Sequence, residues 1–179
     1  MKLVVIAGLI ALLVTLLGTP LLIKFLMRHG YSQAIRVSTE GVPYPEHEGK
    51  KGTPSMGGLA ILIALVVGYS LSHLYAWQSP SASGLLAMYL IVGLGLVGMA
   101  DDYLKIFKQR STGVRARTKL IGQGFIAVTF AYGTTLFPDE YGRTPASNAV
   151  SLVRDTPIVL PLVLLMFWIW FLITAATNA

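Results

Sequence analysis

The sequence predicts an all-α fold, a polytopic transmembrane helical bundle, and three observations carry that expectation. The 179 residues are 54% hydrophobic and only 12% charged, with a mean hydropathy of +0.67, too apolar for a soluble domain that must clothe itself in polar groups. Five apolar runs qualify or nearly qualify for the roughly 20 residues that a helix needs to cross a bilayer. Finally, the basic residues are sorted along the chain. Of 14 Lys and Arg, five lie between Lys24 and Lys51 and six between Lys105 and Lys119, leaving Lys2, Arg143 and Arg154 elsewhere. Helices satisfy their backbone groups internally, whereas a barrel would show alternating strands of about ten residues, which are absent from the sequence. Residues 1–179 read as a single membrane domain.

The first run, residues 3–23, follows Lys2 and resembles a signal peptide only superficially. It is longer than the roughly 7–15-residue apolar region of such peptides and has no small-residue cleavage site before Lys24, so it is read as a retained helix. Arg28 to Gly52 is polar, contains Pro43 and Pro45 and lacks periodicity, which predicts irregular backbone. The run at 56–77 is introduced by Lys50-Lys51-Gly52-Thr53-Pro54-Ser55-Met56-Gly57-Gly58. Thr53 suits an N-cap and Pro54 a first helical position. Free N–H groups, two lysines and glycines that admit a ligand to the backbone would make a phosphate cradle there. A capped helix with two lysines as topology anchors explains the same residues.

Gln78 to Ser83 forms a short turn before the run at 84–100. Within it, Gly93-Leu94-Gly95-Leu96-Val97-Gly98 matches the dinucleotide pattern G-x-G-x-x-G, but no strand precedes it and no helix starts after it. Glycines inside one apolar helix are read instead as close-packing positions. At the end of this run stand Asp101 and Asp102, two of only eight acidic residues. A carboxylate near mid-bilayer costs about 2.5–3.5 kcal/mol on insertion scales and is also disfavoured at a helix C-terminus. If the helix continues, Lys105 falls four residues from Asp101 and three from Asp102, on the same side as both. Such a face can hold a divalent cation and still present a positive group to a phosphate. A solvated interfacial acidic pair is the simpler alternative.

Ser111 to Lys119 is basic, and Lys119 opens the run at 120–137, either anchoring it or facing an anion. Pro138 to Pro157 is polar without clustered chemistry, and the run at 157–176 is rich in aromatic residues read as lipid-facing or packing groups. His29, His47 and His73 have no zinc spacing, Glu46-His47-Glu48 reads as a solvated loop, and no catalytic triad or P-loop is present. Zero cysteines exclude disulfides and thiolate metal sites. The pI of about 9.7 is explained by positive-inside topology, so no nucleic acid is expected as a partner. That rule places the N-terminus outside, and puts both basic loops and Ala179 at the cytoplasmic face.

Taken together, the stretch from Lys50 to Gly58, Asp101-Asp102-Tyr103-Leu104-Lys105 and Thr118-Lys119-Leu120-Ile121-Gly122-Gln123 resemble the bacterial phospho-N-acetylmuramoyl-pentapeptide transferases. These belong to the wider family of polyprenyl-phosphate N-acetylhexosamine-1-phosphate transferases. Thr177-Asn178-Ala179 resembles the opening of that family's next cytoplasmic motif. The resemblance implies transfer of phospho-N-acetylmuramoyl-pentapeptide from its UDP carrier to undecaprenyl phosphate with Mg²⁺, releasing UMP, at the cytoplasmic side of the bacterial inner membrane. Carried onto this chain, it implies Asp101 and Asp102 as catalytic and metal-holding residues. Lys50, Lys51, Thr53, Ser55, Lys105, Lys119 and Asn178 would bind substrate. Which aspartate holds metal and which takes the acceptor's proton stays open, as does a homodimer.

A sibling transferase using UDP-N-acetylglucosamine is the nearest alternative, and the Lys50–Gly58 stretch speaks against it. A transporter or non-catalytic scaffold would need polar residues deep in several helices, and the runs have almost none. The family also implies about ten membrane helices, further aspartates and a histidine cluster, so the chain is read as the N-terminal half of a longer enzyme. On that expectation residues 1–179 alone do not catalyse. Measurement of UMP release from UDP-muramoyl-pentapeptide should give none, and turnover near that of a full-length transferase would refute the expectation.

Overall fold

The computed structural model describes residues 2–31, 56–108, 113–139, 141–151 and 155–178. Among these lie five α-helices and one short hairpin: α1 (Lys2–Arg28), α2 (Gly58–Ala76), α3 (Ala82–Phe107), α4 (Ala116–Gly133), β1 (Ala149–Ser151), β2 (Asp155–Val159) and α5 (Leu162–Asn178). The helical membrane class expected from composition is observed. By length and composition, α1, α2 and α3 suffice to cross a membrane, with mean hydropathies of 2.5, 1.9 and 2.0. Helix α5 is apolar but has 17 residues, and the 18-residue α4 includes Arg117, Lys119 and Gln123.

Several helix ends differ from the hydropathy boundaries for local reasons. Helix α3 does not stop at residue 100 but continues to Phe107, so Asp101, Asp102 and Lys105 sit inside a helix rather than at its end. Helix α2 begins at Gly58, although Thr53 and Pro54 mark an earlier start. Met56 has φ of 73°, a left-handed conformation that no right-handed helix can pass through. Thr53 and Pro54 themselves lie outside the described residues. Helix α5 begins at Leu162, not 157. Residues preceding proline are biased away from helical backbone, and Leu160 before Pro161 marks the change. The Pro161 carbonyl then accepts the first helical bond, from Leu165 at 3.0 Å.

Upstream of α5 the chain forms strand where helix and loop are expected. β1 pairs antiparallel with β2, Ala149 opposite Val159 and Ser151 opposite Asp155, with an irregularity between. The preceding turn is organised by Asp139, which accepts from the Tyr141 and Arg143 backbone N–H groups at 2.9 Å. It also forms an ion pair with the Arg143 guanidinium at 2.9 Å. These bonds, the Arg143 backbone N–H foremost, hold the Asp139 carboxyl below its ordinary pKa.

The helices gather into two compact units, one of Met1–Ser79 with Gly95–Arg115 and the other of Pro80–Leu94 with Ala116–Ala179. In the first, α1 packs along α2 through a stripe of small residues, Ala60, Ala64, Gly68 and Ser72, all buried. Gly68 permits the closest approach, since a Cβ there would stand 2.7 Å from the Ala7 carbonyl oxygen and 3.0 Å from the Ala11 Cβ. Gly95 faces the Leu62 side chain in the same unit, where a Cβ would lie 2.8 Å from Cδ2. In the second unit α4 packs on α5, where a Cβ at Gly124 would stand 3.1 Å from Trp170 Nε1 and Gln123 meets Asn178, and Ala127 and Ala131, spaced by four from Gln123, are buried. Gly93 faces Ile126 there, at 3.0 Å from a Cβ position. Gly93 and Gly95 are thus helix-packing glycines, as expected, and not a nucleotide loop.

Substituting Gly68 with Val should push α1 from α2 and cost about 1–3 kcal/mol, the usual penalty for overpacking, with Gly8→Val, which meets nothing within 4 Å, as a control. Thermal unfolding of the two variants in detergent checks this: equal stability would show that the Gly68 contact does not hold the pair together.

Candidate active site

The aspartates and Lys105 occupy one face of the last turns of α3. Lys105 Nζ lies 2.6 Å from Asp101 Oδ2 and 3.5 Å from Asp102 Oδ1. The i,i+3 and i,i+4 spacing dictates that meeting, and the expected counter-charge is therefore in place. The far side of the same turns has Tyr103 and Phe107, with ring centroids 4.1 Å apart, and Phe107 meets Tyr31 edge-on at 5.9 Å. Ile106 and Leu26 are buried within this unit. The end of α3 is thereby tied to the end of α1, and the acidic face has a packed back.

Asp101 and Asp102 differ in their surroundings. Asp101 is the more enclosed, 15% exposed against 34% for Asp102. Its Oδ1 accepts from the Val114 backbone N–H at 2.7 Å while its Oδ2 faces Lys105. A hydrogen bond to an ionised acceptor contributes about 1.5–3 kcal/mol, so this carboxylate acts as a clamp between α3 and the segment entering α4. Gly113 makes the clamp feasible, since a Cβ there would stand 2.8 Å from the Asp101 carbonyl oxygen and 2.7 Å from its Cγ. Among the described residues Asp102 has only the long contact to Lys105, and its side chain is 34% exposed.

The remaining site residues expected from the sequence fall in two groups. Lys119 and Asn178 belong to the second unit. Lys119 is in the first turn of α4, half-buried, with no carboxylate within 4 Å among the described residues. Asn178, in the last turn of α5, donates its Nδ2 to Gln123 Oε1 at 2.8 Å and to the Thr174 carbonyl at 2.8 Å. Lys50, Lys51, Thr53 and Ser55 lie outside the described residues. Gly113, Val114 and Gln123 were given no role from the sequence. A lone glycine in a basic loop is the sole trace of the first two. Gln123 shows its role only through its place in a stripe with Ala127 and Ala131. Among the described residues no three or more His, Asp or Glu converge as a metal nest. The cluster is two carboxylates and a lysine.

Such a cluster, two carboxylates sharing one lysine, stands on a helix long and apolar enough to cross a membrane. Residues 50–62 match the family model described as phospho-N-acetylmuramoyl-pentapeptide-transferase signature 1, and Met56–Leu62 of that stretch lead into and open α2. The chain is 46% identical over 183 residues to the phospho-N-acetylmuramoyl-pentapeptide-transferase of Beutenbergia cavernae, covering 98% of this chain and 50% of that protein. It is 44% identical to the one from Streptomyces avermitilis, over 99% of this chain and 49% of the relative. For Cutibacterium acnes the identity is 43%, over 100% and 49%. No solved structure matches. Along nearly its whole length the chain is thus similar to phospho-N-acetylmuramoyl-pentapeptide-transferases, and it spans about half the length of the curated relatives it matches.

If Asp101 is the clamp, Asp101→Asn should weaken the bond to Val114, and Gly113→Ala should displace the carboxylate. Hydrogen exchange at the Val114 amide checks both, with an acceleration of about 10-fold or more expected from loss of a charged acceptor. Asp102→Asn should leave that amide as protected as in the parent chain.

Proposed function

We propose that this chain forms part of a phospho-N-acetylmuramoyl-pentapeptide transferase in the bacterial cytoplasmic membrane, with the α3 cluster on the cytoplasmic side. The observation that carries the proposal is Asp102 standing beside Lys105 at the end of a membrane-length helix. The sorting of basic residues into the segments around Lys50 and Lys105–Lys119 supports the orientation. In that orientation a water-soluble nucleotide sugar and a lipid phosphate would meet at this face.

In the reaction an oxygen of undecaprenyl phosphate attacks the β-phosphorus of UDP-N-acetylmuramoyl-pentapeptide. The bond from that phosphorus to the bridging oxygen breaks, UMP leaves with the bridging oxygen, and the lipid carries the new diphosphate. The acceptor is already an anion, so the protein's work is positioning and charge stabilisation. Lys105 offers an ammonium to a phosphate oxygen, and its two carboxylate neighbours keep it oriented in the absence of substrate. Asp101, with each oxygen accepting from Val114 or Lys105, shapes the segment rather than serving as the base. The family resemblance, rather than any placement, adds Lys119, Lys50 and Lys51 as phosphate-binding cations and Thr53 and Ser55 as substrate-binding residues.

The donor chemistry fits Mg²⁺. This ion is typically held through one or two carboxylates and substrate phosphates while keeping several waters. Asp102 is the carboxylate with accessible oxygen to hold it. When bound, the ion would neutralise diphosphate charge.

Asp102→Asn in a full-length transferase carrying this chain should lower kcat by about 10²–10³-fold, the usual cost of one electrostatic stabiliser, and raise the Mg²⁺ concentration needed for half-maximal UMP release. Asp101→Asn should act mainly by loosening the segment at Val114, with a smaller change in Mg²⁺ requirement. Undiminished UMP release by both variants would sink the assignment.

A further inference from the structure

We propose that Gln123 is a positioning residue for Asn178, turning the Asn178 carboxamide so that it presents its oxygen to an N–H or O–H donor of the nucleotide-sugar substrate. The inference rests on the transferase reading and adds a specificity element to it.

The starting point is an amide orientation that the hydrogen bonds force. Asn178 Nδ2 lies 2.8 Å from the Thr174 carbonyl oxygen and 2.8 Å from Gln123 Oε1. A carbonyl can only accept, so the Asn178 atom facing Thr174 must be the nitrogen. Its second proton points to Gln123, whose facing atom must then be the oxygen. The Thr177 hydroxyl, at 3.5 Å, is too distant to compete with two bonds of 2.8 Å. Both Asn178 protons are thus engaged inside the chain, and its Oδ1 is left as the group on offer. No hydrogen bond among the described residues reaches Asn178 Oδ1 or Gln123 Nε2.

Packing does not explain Gln123. It heads the stripe in which Ala127 and Ala131 seat α4, is 4% exposed, and is the polar member of that row. A buried amide in an apolar row is unfavourable unless its bonds are used. Two neighbours give the same end of the helix pair a polar character. The Thr174 hydroxyl oxygen is buried with no hydrogen-bond partner among the described residues, and Lys119 stands one turn before Gln123 on α4. The chemistry divides cleanly: phosphate oxygens only accept and suit Lys119, whereas ribose hydroxyls, the uracil N–H and amide N–H groups donate and suit Asn178 Oδ1. A fixed acceptor at the end of the helix pair that also holds a cation suits a donor-bearing group adjacent to a diphosphate.

Two measurements test this. In the 179-residue chain in nanodiscs, side-chain amide exchange should be slow for Asn178 and fast for Gln123; the reverse order would overturn the orientation, whatever the protein's function. In a full-length transferase carrying this chain, Gln123→Met should raise KM for UDP-muramoyl-pentapeptide about tenfold, the scale of one lost hydrogen bond, with kcat changed less. Asn178→Ala should do the same, and the double variant should be no worse than either alone. Gln123→Glu keeps the accepting oxygen and should restore KM toward the parent value. Additive effects, an unchanged KM in a folded Gln123→Met protein, or Gln123→Glu behaving like Gln123→Met would overturn the proposal. If the full-length parent released no UMP from this donor, the transferase reading would fail, and with it the substrate role, while the exchange measurement would still decide the amide orientation.

Discussion

The carboxylate of Asp101, held between the Lys105 ammonium and the Val114 N–H, is the interaction on which the candidate site depends. A negative charge in the last turns of a membrane-length helix is unfavourable in lipid and at the negative end of the helix dipole. It persists because a cation one turn along and a backbone donor 13 residues on compensate it. Compensation also does structural work: it draws Gly113 and Val114 against the end of α3. The cost of ordering that segment is met by a charge-assisted bond that water cannot easily replace at a partly enclosed site.

Asp102 gains from this arrangement. With Asp101 and Lys105 paired at 2.6 Å and Lys105 only loosely shared at 3.5 Å, the second carboxylate stays the more exposed of the two. Adjacent residues of identical type thus acquire different chemistry. A helix turns about 100° per residue, and only one of the two directions meets Val114. The aromatic contacts of Tyr103, Phe107 and Tyr31 brace the opposite side, so the acidic face is presented by a packed element rather than a loose one.

Much of this was legible in the residues. The apolar runs, the placement of basic charge and the i,i+4 spacing of Asp101 and Lys105 are local properties, and local periodicity determines them. The G-x-G-x-x-G match lies in one uninterrupted apolar helix, and two of its glycines pack, Gly93 against Ile126 and Gly95 against Leu62, whereas a Cβ at Gly98 would meet nothing within 4 Å. Boundaries were less legible. Helix α3 overran its apolar run because paired charges can prolong a helix that hydropathy alone would end. Met56 adopts left-handed backbone that no residue preference signalled. The strand at Asp155–Val159 straddles the boundary between a polar segment and the apolar run that starts at Pro157, so neither part alone signalled it.

By itself, then, the sequence determined a helical membrane protein, its charged segments and the acidic pair with its lysine, together with a family resemblance that the matches along the chain uphold. Tertiary structure alone decided which aspartate is a clamp, why Gly113 must lack a side chain and which way the Asn178 amide points. The physical reason is sequence distance. Asp101 meets Val114 across 13 positions and Asn178 meets Gln123 across 55, and no helical or strand period relates residues so far apart. Such pairs exist only once the helices have packed.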